Sequence, residues 1–420
     1  MSRPVRILML LENNPYSRDG RVRREARALI EAGYQVSVIC PRAPHQARRE
    51  KLDGVEAYQY SPALFGYGKL GYVIEYAHAM LMTLILTIQV YFTRGFDVLH
   101  AHNPPDLFVL IAILFRPLGK KFVFDHHDLA SEMFRVRFHG NTGIVYRLLR
   151  FFERLSCRWA DCVVATNESY KRLEVERAGV PAERITVVRN GPAPRHFEMG
   201  APHPSLVRPG QIVIGFVGEM GKQDGLDYLM RSLRNLRHKL GRSDWICALV
   251  GEGEKLDELR SMAGEFELTE HMFFVGRVKP HEVVEYVRGM DICVVPDPSN
   301  SYTDHCTMIK VMEYMAQAKP IVCFDLPETR HSAQGAAVYV EPNDEIKFAR
   351  ALVQLMDDPD ERRRLGEEGF ERAVHHLAWR HEAPKLIAMY DRMTGRPGNA
   401  RRNTKEDARE LRYAANGVST

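Results

Sequence analysis

At 420 residues the chain is too long for one ordinary core, and two globular domains are the natural expectation. A composition of 45% hydrophobic and 27% charged residues excludes a disordered or collagen-like chain. The net charge of +4 is uneven: residues 1–200 hold 28 basic and 20 acidic side chains, the remainder 30 and 34. A basic first half suits an anionic membrane surface, whereas no recognisable nucleic-acid module accompanies it, so no nucleic-acid partner is expected.

In chain order the first apolar run, RILMLL, has only the length of a core strand and is followed by a polar turn, so it does not read as a signal peptide. Seven scattered cysteines without a C-x-x-C pair fit a reducing compartment, and a cytoplasmic protein follows as the expectation. A helix is predicted over Arg21 to Ala32, then strands QVSVIC, VEAYQY, DVLHAH, KFVFDHHD, CVVATN and ITVVRN. Runs this continuously apolar are buried on both faces, as in a parallel sheet covered by helices. Ligands in such sheets sit beyond the carboxyl ends of the strands, which nominates Asn13 to Gly20, His102 to Asp106, Asp125 to Glu132 and Asn167 to Ser169.

The segment Tyr72 to Phe92 is the longest apolar run, but Glu75, His78 and Gln89 interrupt it below the ~20 apolar residues a bilayer requires. A buried or interfacial helix is expected there, with a transmembrane helix as the alternative. After Asn190 a Pro/Gly-rich stretch marks a domain boundary. A second series follows: IVIGFVG, a helix over Asp224 to Leu240, WICALVG, a helix near Lys255 to Met262, MFFVGRV, a helix near His281 to Val287, DICVVPD, a helix from Thr307 to Ala318, and IVCFD. The expected fold is α/β with two Rossmann-like doubly wound domains facing across a cleft. Their limits are 1–200 and 201–395, with 396–420 a disordered tail.

The stretch from Pro296 to Asp325 carries the chemistry: a strand ends at Val295, a polar loop follows, and a helix begins near Thr307. Amides at a helix start, with the Thr307 hydroxyl, form a site for an anion such as a diphosphate. Lys310 adds a positive charge one turn in, and Glu313, two turns in, can accept hydrogen bonds from vicinal sugar hydroxyls. On spacing alone, a solvated amphipathic helix explains Lys310 and Glu313 equally well.

The same string resembles the nucleotide-sugar loop of the GT4 family of retaining glycosyltransferases, which have the GT-B fold. DVLHAHNPPDL, FDHHDLASE, VVRNGP, VGEGEKLDELR, FFVGRVKPHEVVEYV, MDICVVPDP, EYMAQAKPIV and FDLPETRHSAQGAAVY stand in that family's order over nearly all of residues 5–392. The resemblance implies that Glu313 holds the nucleotide ribose, that Thr307 and Met308 supply amides to the diphosphate, and that Gly20 closes on the donor phosphate, a simple turn being the alternative. It implies that Arg277 and Val278 lie where the base is read. His127 resembles the active-site histidine, a structural histidine being the alternative. Acceptor contacts are expected from Asp19, Arg21, Asn103, Asp128 and Glu132.

The sequence also departs from the family pattern. The first glutamate of the paired motif is replaced by His305, beside Asp304, and the basic clamp positions hold Gly218-Glu219 and Asp224-Gly225. Lys222 and Lys310 are the available substitutes, Lys310 being favoured. His126, His127 and Asp128 are adjacent and cannot all face one ion from a strand, so no metal and no cofactor are expected. The resemblance implies a UDP- or GDP-linked sugar donor, retention of configuration and a saccharide acceptor. A lipid-linked acceptor at the inner face of the cell membrane is expected from the basic RVRREAR helix and the apolar segment. A sugar-nucleotide epimerase or a non-catalytic sugar-nucleotide-binding subunit are the competing readings.

Overall fold

The apolar runs become strands because both of their faces are covered. In β1 (Arg6–Leu10), Ile7 to Leu10 are at most 1% exposed. A computed structural model of the chain describes residues 3–63, 69–138, 140, 142–279 and 281–397. The remaining strands of the first series are β2 (Gln35–Pro41), β3 (Arg49–Leu52), β4 (Val55–Tyr60), β5 (Val98–His102), β6 (Lys121–His126), β7 (Cys162–Ala165) and β8 (Ile185–Val187). They form one sheet in the order β3-β4-β2-β1-β5-β6-β7-β8, parallel except where β3 runs against β4.

The second series comprises β9 (Ile212–Val217), β10 (Trp245–Val250), β11 (Met272–Gly276), β12 (Ile292–Val295), β13 (Ile321–Phe324) and β14 (Ala337–Val340). All pairings are parallel, in the order β11-β10-β9-β12-β13-β14. In each sheet the strand order reverses beside the first strand, between β1 and β5 and between β9 and β12. Those two carboxyl-end positions are where such sheets take ligands.

Connections from β4 to β5, β5 to β6 and β6 to β7 advance across the sheet in one direction, and β1 to β2 in the other. Right-handed crossovers then place the helices Lys69–Thr93, Val109–Phe115 and Ile144–Trp159 on one face and Gly20–Glu31 on the opposite one. All seven cysteines are free, six of them buried.

Three differences from the sequence reading have physical causes. The chain divides into two compact units at Asn190/Gly191, and from Glu382 it rejoins the first, so the limits 1–200 and 201–395 shift. Tertiary contacts decide this: the Tyr390 hydroxyl lies 2.8 Å from His100 Nδ1, and the Tyr34 hydroxyl donates to Asp391 at 2.6 Å. The expected tail begins in an ordered position, since Arg396 donates to the Ala32 carbonyl and lies over the Tyr34 ring; 398–420 lie outside the described residues. The helix expected over Thr307 to Ala318 is shorter, Ile309–Met315, because Met308 is extended and Ala318 adopts φ +51°.

Candidate functional site

In the second unit the loops after β9, β10 and β12 are pressed together through glycines. A Cβ on Gly251 would stand 1.9 Å from the Gly218 carbonyl oxygen, and one on Gly225, at φ +66°, would stand 2.0 Å from that of Pro296. The helix Ile309–Met315 is tied to this floor, because the Val217 amide donates to the Tyr314 hydroxyl at 2.8 Å. Second in that helix, Lys310 lies beneath Gly218. Its Nζ is 3.4 Å from Asp224, 3.2 Å from Asp297 and 4.5 Å from the centre of the Phe216 ring.

Lys310, the favoured substitute for the clamp, is thus engaged by two carboxylates. Asp224, standing where the resemblance implies a basic residue, is its ion-pair partner, and Asp297 beside it is almost fully buried. Burial pushes the Asp297 carboxyl up to about 6, although Lys310 acts in the opposite direction.

Glu313 is a quarter exposed, and its Oε1 is 3.5 Å from His196 Nε2. Thr307 precedes the helix, and its hydroxyl donates to buried Glu328 at 3.4 Å. Met308 caps the helix and packs on the core. Ahead of them, Asn300 accepts from the amides of Tyr302 and Thr303 at 2.9 and 3.0 Å. Asp304 accepts from Ser299, and His305 closes the turn Thr303–His305. The loop is therefore ordered by its own side chains. Lys222 opens the turn after β9, and Arg277 stands exposed after β11 beside Val278.

In the first unit Asn103 organises the carboxyl ends of β5 and β6. Its Oδ1 accepts from the amides of His127 (2.8 Å) and Asp128 (3.1 Å), and its Nδ2 donates to the Asp128 carbonyl and to Asp106. At 1% exposure it positions His127 instead of presenting itself to an acceptor. Burial opposes a charged His127 ring, yet Asp125, 3.4 Å from Nδ1, holds it above the ordinary histidine value.

Arg21 is also withdrawn from solvent. It grips both Asp125 oxygens at 2.9 Å and reaches Asn190 at 2.8 Å and Glu25 at 3.1 Å. Glu132 is buried against Arg177 at 2.8 Å, and Asp19 caps the helix Gly20–Glu31 through the Val22 amide. Asp128 is half-buried. Gly20 is exposed, and a Cβ there would meet no atom within 4 Å.

Sequence reasoning missed the polar core behind His127. His100 and His102 alternate along β5 and so share one face, a signal the spacing did carry. Ligand-capable atoms of Glu25, His100, His102 and Asp125 lie within 4.8 Å of one another, a set able to hold an ion. The Arg21 guanidinium already brings the positive charge that Asp125 and Glu25 call for. Burial and Asp125 hold Glu25 well above the usual carboxylate range. Glu12, just past β1, was also missed; burial and Glu75 push its carboxyl up to about 7.

Residues 21–193 match the family model described as Glycosyltransferase Family 4, and residues 211–358 that described as Glycosyl transferases group 1. The chain is 25% identical over 397 residues to the phosphatidyl-myo-inositol mannosyltransferase of Mycolicibacterium smegmatis, covering 91% of this chain and 93% of that one. It is 28% identical over 245 residues to the D-inositol 3-phosphate glycosyltransferase of Nocardia farcinica, covering 55% of this chain and only 52% of that relative's length. The sucrose-phosphate synthase of Thermosynechococcus elongatus superposes with a TM-score of 0.76 at 16% identity, over 94% of this chain and all of the other, which shows the shared GT-B fold.

Proposed function

We propose that this chain, which belongs to glycosyltransferase family 4, transfers a sugar from a UDP- or GDP-linked donor to a saccharide acceptor with retention of configuration. The observation that carries the reading is the placement of Lys310 and Glu313 on one short helix at the strand-order reversal of the second sheet. Lys310 meets the diphosphate in exchange for Asp224 and Asp297, and Glu313 accepts hydrogen bonds from the ribose. In the transfer the bond from the anomeric carbon to the diphosphate breaks, the acceptor oxygen bonds to that carbon on the same face, and the acceptor proton passes to a donor phosphate oxygen. Charge growing on the leaving diphosphate is met by Lys310 and the amides at Thr307 and Met308; one such preorganised donor contributes ~3 kcal/mol. In this reading His127, which Asp125 keeps charged over a wider pH range, serves the hydroxyls of donor and acceptor.

We assign the acceptor to the lipid-linked saccharides of cell-surface polysaccharide assembly, handled at the cytoplasmic side of the membrane. The test is a panel of UDP- and GDP-sugars scored by thermal shift and by nucleotide release. A donor at 100 times its dissociation constant should add ~2.7 kcal/mol. Acid at the clamp positions, Glu219 and Asp224, favours a second reading, a sugar-nucleotide-binding subunit, which would show the shift but release no nucleotide with any acceptor.

Two substitutions probe the donor site. Glu313→Ala should leave the circular dichroism unchanged and weaken donor binding by ~1.5–3 kcal/mol, the worth of hydrogen bonds to a charged group. Wild-type affinity in titration calorimetry would remove Glu313 from the site. Neither φ nor packing within the chain demands glycine at position 20, so Gly20→Leu should melt within a degree or two of wild type while donor turnover falls. Undiminished turnover would make Gly20 a turn and nothing more.

A further inference from the structure

Three helices on one face of the first sheet turn large apolar side chains to solvent. Along Lys69–Thr93, Thr83 and Thr87 point inward and are fully buried. Leu81, Ile85, Ile88 and Phe92, spaced to share one side, are 56%, 48%, 43% and 79% exposed. A surface helix of a globular protein shows the reverse.

The pattern continues onto the neighbouring helices. Tyr91 and Phe96 pack against Phe115 with ring centres 5.5 and 5.2 Å apart, so Val109–Phe115 lies alongside and exposes Leu110 and Leu114. Arg116 donates to the Trp159 carbonyl at 2.9 Å, joining this helix to Ile144–Trp159. There Glu153 and Ser156 are buried, while Leu148 and Phe151 are exposed with Arg147 and Arg154 among them. Most large apolar side chains exposed among the described residues fall on these three helices. A contiguous apolar patch of this kind marks an interaction surface.

We propose that this face of the first unit is where the protein rests on an anionic lipid bilayer, Leu81, Ile85, Ile88, Phe92, Leu148 and Phe151 entering the acyl boundary and Arg147 and Arg154 meeting lipid phosphates. Charge complementarity selects this occupant: a bilayer interface supplies an apolar layer and anions at one depth, as outward arginines set among outward apolar residues require. The arginine-rich helix Gly20–Glu31, expected to make this contact, lies on the opposite face. Its Arg21 is held by Asp125, and Arg23 and Arg27 by Asp53 at 2.8 and 2.9 Å. The proposal rests on the reading of a lipid-linked acceptor and locates the surface that reading needs.

The experiment sediments the full chain with phosphatidylcholine vesicles, with and without phosphatidylglycerol, at low and high salt. Wild type should sediment with the anionic vesicles and be released in part by salt. Arg147→Glu/Arg154→Glu should lower partitioning about tenfold or more. Ile85→Glu/Phe151→Glu should abolish it, with unchanged circular dichroism and unchanged donor-induced thermal shift. Wild type left in the supernatant, or variants that sediment equally, would overturn the surface. So would a wild-type dimer that these substitutions dissociate, which would hand the face to a second copy, or resistance to alkaline extraction, which would make Ile74–Thr93 a transmembrane span. Transfer to lipid-linked acceptors in detergent with no vesicle binding would sink the surface and spare the acceptor. Vesicle binding with transfer only to soluble acceptors would do the opposite.

Discussion

Arg21→Leu is expected to destabilise the first unit by ~3–5 kcal/mol, the cost of leaving buried charge uncompensated. Asp125 and Glu25 are fully buried, and Arg21 is the cation between them, with its fork also engaging Asn190 and the Val188 carbonyl. Against the ~5–15 kcal/mol of a whole domain this is a large fraction, and the first melting transition should fall by about 10 °C or more. Arg21→Lys retains the charge but not the two-pronged geometry, so it should fall between the two. Differential scanning calorimetry with hydrogen exchange at the β5 and β6 amides would show whether the loss is local to this unit. An Arg21→Leu protein that melts within a degree or two of wild type would mean that the cluster tolerates the Asp125 carboxylate without its cation.

Lys310→Met should have the second large effect, and it should appear in both stability and turnover. Asp297 is 2% exposed, and removing the ammonium leaves it beside Asp224 without a counter-charge, a change expected to cost ~3–5 kcal/mol. The sign with pH follows from the Asp297 carboxyl, whose folded-state value of about 6 lies above its ordinary 3.8. A carboxyl raised on folding favours the fold while protonated, and that contribution is lost as pH rises from 3.8 through 6. The gap between Lys310→Met and wild type should therefore be small below about pH 6 and widen above it. Lys310→Met/Asp297→Asn should recover stability while turnover stays low, because stability requires only charge balance whereas the leaving diphosphate requires the cation. Recovery of turnover in the double variant would remove Lys310 from the chemistry.

What could be read before folding was whatever depends on neighbours along the chain. Two successive βα series, their parallel sheets, the loops that end β1, β5, β9 and β12, and the polar segment preceding Ile309 all follow from periodicity and turn residues, which encode local burial. Lys310 and Glu313 were legible for the same reason, being three residues apart on one helix.

Only the tertiary structure decided which charges are spent and which surfaces are free. Arg21 meets Asp125 across 104 residues and Tyr390 meets His100 across 290, so neither pairing leaves a trace in local spacing. The same applies to Lys310, whose partner Asp224 lies 86 residues away. A basic helix expected to meet the membrane is ion-paired instead, at Arg21, Arg23 and Arg27. The inverted helix Lys69–Thr93 shows the complementary case: its apolar residues were visible in the sequence, but which side faces the sheet is set by the packing of Thr83 and Thr87 inward, a choice that hydrophobicity alone would have made the other way.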